Sequence, residues 1–172
     1  MISRKNGIRI TWFLWIIVLL FDQITKYLIR KNLLLGDSIP VIPNIFHITH
    51  VSNTGAAFGI FPNARYFFII ASIITIAFFL YFLYMYKQKN PTFYISIGLI
   101  LGGATGNNLL DRIIFGEITD FLDFGINSKL RWPAFNIADS CVVIGFFMLA
   151  LLVVKGDLFF LKKKNNVLKG VS

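Results

Sequence analysis

Five of the eight acidic residues, Asp111, Glu117, Asp120, Asp123 and Asp139, fall within one short stretch of the chain. Asp139 lies in Phe135-Asn136-Ile137-Ala138-Asp139-Ser140, just ahead of an unbroken apolar run. A carboxylate about a turn inside such a run is partly desolvated, and ionisable groups beside hydrocarbon mark function by default. Helix capping is the competing explanation, because acids are favoured in a first helical turn. It accounts for Asn136 or Ser140 better than for an acid that deep. Asp120, in Ile118-Thr119-Asp120-Phe121-Leu122-Asp123-Phe124, reads in isolation as an interfacial loop acid. A short re-entry from the preceding apolar run would bring it beside Asp139. Two carboxylates in a half-dry site do not easily both ionise, so they share a proton. One then acts as base toward water while the other donates a hydrogen bond to a carbonyl oxygen. Such chemistry needs neither metal nor cofactor.

Other polar residues cluster around this pair. Helical spacing puts Asn108 beside Arg112 and Asn107 beside Asp111. That group is either a neutralised helix end or a clamp on a substrate carbonyl. Asp22 and Lys26, four apart, share a helix face, and pairing lowers the cost of burying both. Cys141 is a lone cysteine in an apolar run, read as a small buried hydrophobe rather than a nucleophile. His47 and His50 lack the His-Glu-x-x-His pattern of a zinc protease, and no Gly-x-Ser-x-Gly elbow is present. No metal or cofactor is expected.

The elements that must hold these groups are apolar. Of 172 residues 56% are hydrophobic, 19 of them Phe, and only 15% are charged, with a mean hydropathy of +0.72. Soluble domains average about 25% charged residues, so lipid is the solvent that suits this chain. Four runs, at about 10–29, 66–86, 92–110 and 135–154, are each long enough to cross a bilayer as a helix. The first is too long for a signal peptide, carries Asp22 and Lys26, and lacks a cleavage site. The net charge of +9 gathers at Arg4, Lys5 and Arg9, at Lys87 and Lys89, and at Lys155, Lys162, Lys163, Lys164 and Lys169. Those segments share one side of a four-span protein, which is the positive-inside pattern and puts both termini in the cytoplasm. No basic stripe interleaves with exposed aromatics, so no nucleic-acid partner is expected. Residues 31–65 form a long outer connection in which Ile45 to Val51 reads as a strand, predicting a small sheet on the membrane surface. Residues 111–134 form a second, more charged outer connection. Gly98, Gly102 and Gly106 make a small-residue row along which another helix can approach.

Five blocks, in order along the chain, resemble the lipoprotein signal peptidases, or signal peptidase II. Asp22-Gln23-Ile24-Thr25-Lys26 is similar to the family's first-span D-x-x-x-K element, and Asn53-Thr54-Gly55-Ala56-Ala57-Phe58 to its N-x-G-A-A-F/W loop. Gly102-Gly103-Ala104 through Asn108-Leu109-Leu110-Asp111-Arg112 resembles its G-G-A…N-x-x-D-R block. Thr119-Asp120-Phe121 and Phe135-Asn136-Ile137-Ala138-Asp139-Ser140 resemble its two aspartate blocks. The resemblance implies an all-α integral membrane protein of four transmembrane helices with a small extracytoplasmic β-cradle, as one membrane-embedded peptidase domain over residues 1–172. It implies an aspartic endopeptidase of the bacterial cytoplasmic membrane, with its site toward the extracytoplasmic face. The implied substrate is a diacylglyceryl-modified prolipoprotein, cut just before the lipidated cysteine. Asp120 and Asp139 would be the catalytic dyad. Asn53, Asn108, Arg112 and Asn136 would position dyad or substrate, with Asp111, Asp22 and Lys26 supporting the site. Globomycin-like cyclic peptides would inhibit it, and a monomer is expected. One block departs from the pattern. The family reads G-N-x-x-D-R, whereas Gly106-Asn107-Asn108-Leu109-Leu110-Asp111-Arg112 carries an extra Asn. Counting back from Asp111 gives Asn108 the family's Asn position and puts Asn107 in place of its Gly, a departure that bears on local packing and on the role of Asn107 but not on the dyad.

Two other classes compete. A proton-coupled transporter would need polar residues at several depths, but the second run is apolar throughout and the fourth is apolar beyond Ser140. A non-catalytic lipoprotein-binding scaffold would make both aspartates dispensable. A presenilin-like protease is disfavoured because no run contains Gly-x-Gly-Asp.

Overall fold

The computed structural model describes residues 2–55, 60–86, 88–127 and 130–156. The element order is α1 (Arg4–Asn32), β1 (Ser38–Ile42), β2 (Phe46–Asn53), α2 (Arg65–Met85), α3 (Pro91–Ala104), a π-helical turn (Thr105–Asp111), α4 (Arg112–Ile114), β3 (Ile118–Phe124) and α5 (Ile137–Val154). Four helices, Arg4–Asn32, Arg65–Met85, Pro91–Ile114 and Ile137–Val154, are long and apolar enough to span a membrane.

Each span starts and stops for a local reason. Ser3 caps α1 by accepting from the Asn6 amide at 3.2 Å, and Arg30 and Lys31 complement the dipole at its far end. The first helix is therefore longer than the apolar run at both ends. Asn90 caps α3, with Pro91 in the first turn, where a missing N–H costs nothing. The fourth span begins at Ile137 rather than 135, because Asn136 is its cap.

α3 is the central helix, buried along most of its length between α1 and α5. The glycine row makes that possible. A Cβ on Gly102 would stand 2.6 Å from the Cβ of Val18, and one on Gly106 2.8 Å from Asp22 Oδ2, so α1 lies against bare backbone. The half of the bundle nearer the start of α1 is an apolar core of Phe79, Leu83, Phe93, Tyr94, Ile97, Ile100, Leu101 and Leu152. Outward faces of α1, α2 and α5 present Phe13, Ile16, Ile70, Ile74, Val143 and Phe147, as lipid-facing helix surfaces do.

The sheet differs from the sequence reading. It has three antiparallel strands in the order β1-β2-β3, and the third comes from the charged outer connection rather than from residues 31–65. Alternation in Ile118–Phe124 is broken by two aspartates, which hid a strand that is buried on both faces. The second strand runs from Phe46 to Asn53, slightly beyond the expected Ile45–Val51. Ala56, Ala57 and Phe58 of the loop block, Lys87, and the tail cations Lys162, Lys163, Lys164 and Lys169 lie outside the described residues.

Candidate active site

β3 and the cap of α5 bring the two aspartates to one shared asparagine. Strand β3 pairs with β2 so that Asp120 lies opposite Val51 and Ile118 opposite Asn53. Phe135 is stitched back onto the same strand: Leu122 N donates to its carbonyl at 2.7 Å, and its own N–H donates to Leu122 O at 3.1 Å. The next residue, Asn136, therefore arrives beside Asp120 as it opens α5.

Asn136 is fully buried and ties the pair together. Its Nδ2 donates to Asp120 Oδ1 at 2.7 Å, and its backbone N–H donates to Asp139 Oδ2 at 3.2 Å. Its Oδ1 accepts from the Asp139 amide at 2.9 Å, completing a reciprocal capping box. The capping explanation for Asp139 is thus correct as far as it goes, and the carboxylate sits in the first turn rather than a turn deep. Capping uses only one of its oxygens. The other accepts from Asn107 Nδ2 at 2.7 Å. Asp120 has the same arrangement, with Asn53 Nδ2 at 2.9 Å on its second oxygen. Each carboxylate therefore holds one amide donor on each oxygen.

Burial of Asp120, 2% exposed, pushes its pKa from 3.8 up to about 7, and the negative charge of Asp139 adds to the rise. The amides of Asn53 and Asn136 oppose it.

The supporting groups form two further layers. Lys26 and Asp22 pair at 2.7 Å, with both side chains fully buried. The pair is not isolated, because Lys26 Nζ also meets Asp111 Oδ2 at 2.6 Å and the Asn107 amide oxygen. Asn107 and Asp111, expected to neighbour one another, converge on this one ammonium. Asp22 Oδ1 accepts from Ala138 N at 3.0 Å and so fixes where α5 begins. Arg112, also fully buried, takes the Asn108 amide oxygen at 3.2 Å through Nε. Its other nitrogens donate to the carbonyls of Thr54 at 3.2 Å and Gly55 at 2.5 Å, and its guanidinium lies 4.2 Å from the Phe68 ring centroid. Arg112 thereby pins the turn that carries Asn53, whose Oδ1 accepts from Gly55 N.

Gln23 escaped sequence reasoning. Its Nε2 donates to Asp111 Oδ1 at 2.9 Å and contacts Gly106 O at 3.4 Å, and only its place inside the Asp22–Lys26 block hinted at this. Cys141 is a half-buried free thiol. His50 Nδ1 lies 2.9 Å from the Leu33 carbonyl, and His47 lies beside Ser38, both away from the dyad.

An amide-braced carboxylate pair, Asp120 buried and Asp139 half-buried, stands at one end of a bundle of four helices long and apolar enough to span a membrane. A family model described as signal peptidase (SPase) II matches residues 14–155, and the chain belongs to that family. Its sequence is 48% identical over 137 residues to the lipoprotein signal peptidase of Halothermothrix orenii, covering 79% of this chain and 89% of that one. It is 40% identical over 150 residues to that of Brevibacillus brevis, covering 87% and 95%. A solved bacterial membrane enzyme superposes with a TM-score of 0.75 at 38% identity, covering 84% of this chain and 92% of the other.

Proposed function

We propose that this chain is an aspartic endopeptidase that removes the signal peptide from diacylglyceryl-modified bacterial prolipoproteins, cutting before the lipidated cysteine. The observation that carries this reading is the Asn136 bridge, which binds one carboxylate by its side chain and the other by its backbone. With one proton between them, the ionised member takes a proton from water as the water oxygen attacks the scissile carbonyl carbon. The protonated member hydrogen-bonds the carbonyl oxygen as charge develops there. Collapse of the tetrahedral intermediate breaks the C–N bond, and a proton passes from the pair to the leaving amine. Asn53, Asn136 and Arg112 keep this geometry, while Asp22, Lys26 and Asp111 hold the helices that supply it.

The site suits a lipidated substrate. It lies where α3 and α5 emerge, so a diacylglyceryl chain and a signal-peptide helix can reach it laterally from the bilayer. Arg4, Lys89 and Lys155 lie at the opposite end, where the Ile2 amide bonds the Lys89 carbonyl at 3.0 Å. This supports cytoplasmic termini and an outward-facing site in the cytoplasmic membrane. The chain acts as a monomer, is inhibited by globomycin-like peptides, and works without metal or cofactor.

The test is to incubate the purified protein with a diacylglyceryl-modified prolipoprotein and with its unlipidated form. Cleavage of the lipidated substrate alone is expected. Cleavage of the unlipidated form only would overturn the substrate assignment.

A further inference from the structure

The π-helical turn at Thr105–Asp111 stands where a straight α-helix would be expected. A π-turn bonds i to i+5, so it takes up one residue more than an α-turn, and such turns gather at functional sites. Its effect is visible in one side chain. Gln23 Nε2 reaches both Gly106 O and Asp111 Oδ1, five positions apart. On an α-helix positions five apart point about 140° away from one another, whereas four apart share a face. Gly106 still faces Asp22 in register with Gly98 and Gly102, and α geometry resumes at Arg112. One residue between them is therefore surplus to the faces on either side.

The doubled asparagine sits inside that turn. Asn107 accepts from Lys26 through its Oδ1 and donates from Nδ2 to Asp139 Oδ1, while Asn108 accepts from Arg112. We infer that one of these asparagines is an insertion absorbed by the π-turn, and that Asn107, not Asn108, is the positioning residue that aims Asp139. This inference rests on the hydrolytic reading above. It also reverses the assignment made by counting back from Asp111.

Removing either asparagine gives the same shortened sequence, Gly-Asn-Leu-Leu-Asp-Arg. Glycine and aspartate are then four apart, the spacing at which an ordinary α-turn puts both on one face. A deletion inside a helix normally rotates everything beyond it by about 100°. Here it is absorbed by relaxation of the turn.

Two variants of the full-length protein test this in lipid, with kcat, KM and thermal stability as readouts. Asn107→Asp keeps the shape and the acceptor for Lys26 but replaces the donor facing Asp139 with an anionic oxygen. It is expected to lower kcat about 100-fold or more while KM stays within about threefold, the signature of misaimed chemistry. The deletion variant is expected to insert, fold and keep at least about a tenth of wild-type kcat. Wild-type kcat in Asn107→Asp, or a deletion variant that fails to fold or loses activity as an out-of-register helix would, overturns the inference. If wild type cleaves and Asp120→Asn does not, those results bear on this inference alone. A wild type that does not cleave the lipidated substrate removes the reading beneath it, and the inference falls with that reading.

Discussion

Replacing Lys26 with methionine removes the cation that the structure places between Asp22 and Asp111. Its ammonium is fully buried, 2.7 Å from Asp22 Oδ2 and 2.6 Å from Asp111 Oδ2, with Asn107 as third acceptor. Methionine fits the volume, so the change is one of charge. Breaking a single buried pair costs about 3–5 kcal/mol, because the remaining charge is stranded in a low dielectric. Two carboxylates are stranded here, which puts Lys26→Met at the upper end, about 5 kcal/mol. For a chain of this size that lowers Tm by about 10–20 °C. The triple variant Lys26→Met, Asp22→Asn, Asp111→Asn removes the stranded charges as well, while the new amide oxygen at position 22 can still accept from Ala138 N. Neutral replacements of buried ion groups are often close to neutral in stability, so the triple variant should recover most of the loss. The assay is thermal unfolding of the purified proteins in one lipid–detergent mixture. A Lys26→Met protein within about 3 °C of wild type would refute the reasoning, as would a triple variant no more stable than the single.

The remaining predictions concern the dyad and its supports. Asp120, raised from 3.8 to about 7, contributes stability that is fully present below pH 4 and is lost as pH rises through about 7. Wild type should therefore lose thermal stability between those limits, and Asp120→Asn should show a flatter profile. Activity, which needs the shared proton, should fall on the alkaline side with a limb near pH 7, read from kcat against pH. Arg112→Lys should lower kcat/KM about 100-fold, because a lysine cannot hold Asn108, the Thr54 and Gly55 carbonyls and the Phe68 face together. Gly102→Ala puts a methyl 2.6 Å from the Val18 Cβ and should destabilise the bundle by about 1–3 kcal/mol, seen as a lowered Tm.

The spans were readable because lipid demands long apolar runs, and the glycine row was readable because close helix approach demands small residues. The aspartates were readable because so few charges occur near the apolar runs. What the sequence hid was conformational. Strand β3 carries Asp120 and Asp123 where period-2 apolar alternation would be expected, and only its pairing with β2 and Phe135 makes it a strand. The π-turn leaves no periodic signal, since Asn107 with Asp111 and Asn108 with Arg112 are spaced for an α-helix. Gln23 sits one residue past Asp22, where helical spacing predicts no contact between the two faces; its link to Asp111 depends on how α3 docks.

The account depends on both carboxylates taking part in bond cleavage. The most direct measurement is the rate at which purified Asp120→Asn and Asp139→Asn process a diacylglyceryl-modified prolipoprotein, each shown to be inserted and as thermally stable as wild type or more so. The predicted result is no cleavage by either above the uncatalysed background. Wild-type turnover by one of them, with its fold intact, would contradict a two-aspartate mechanism.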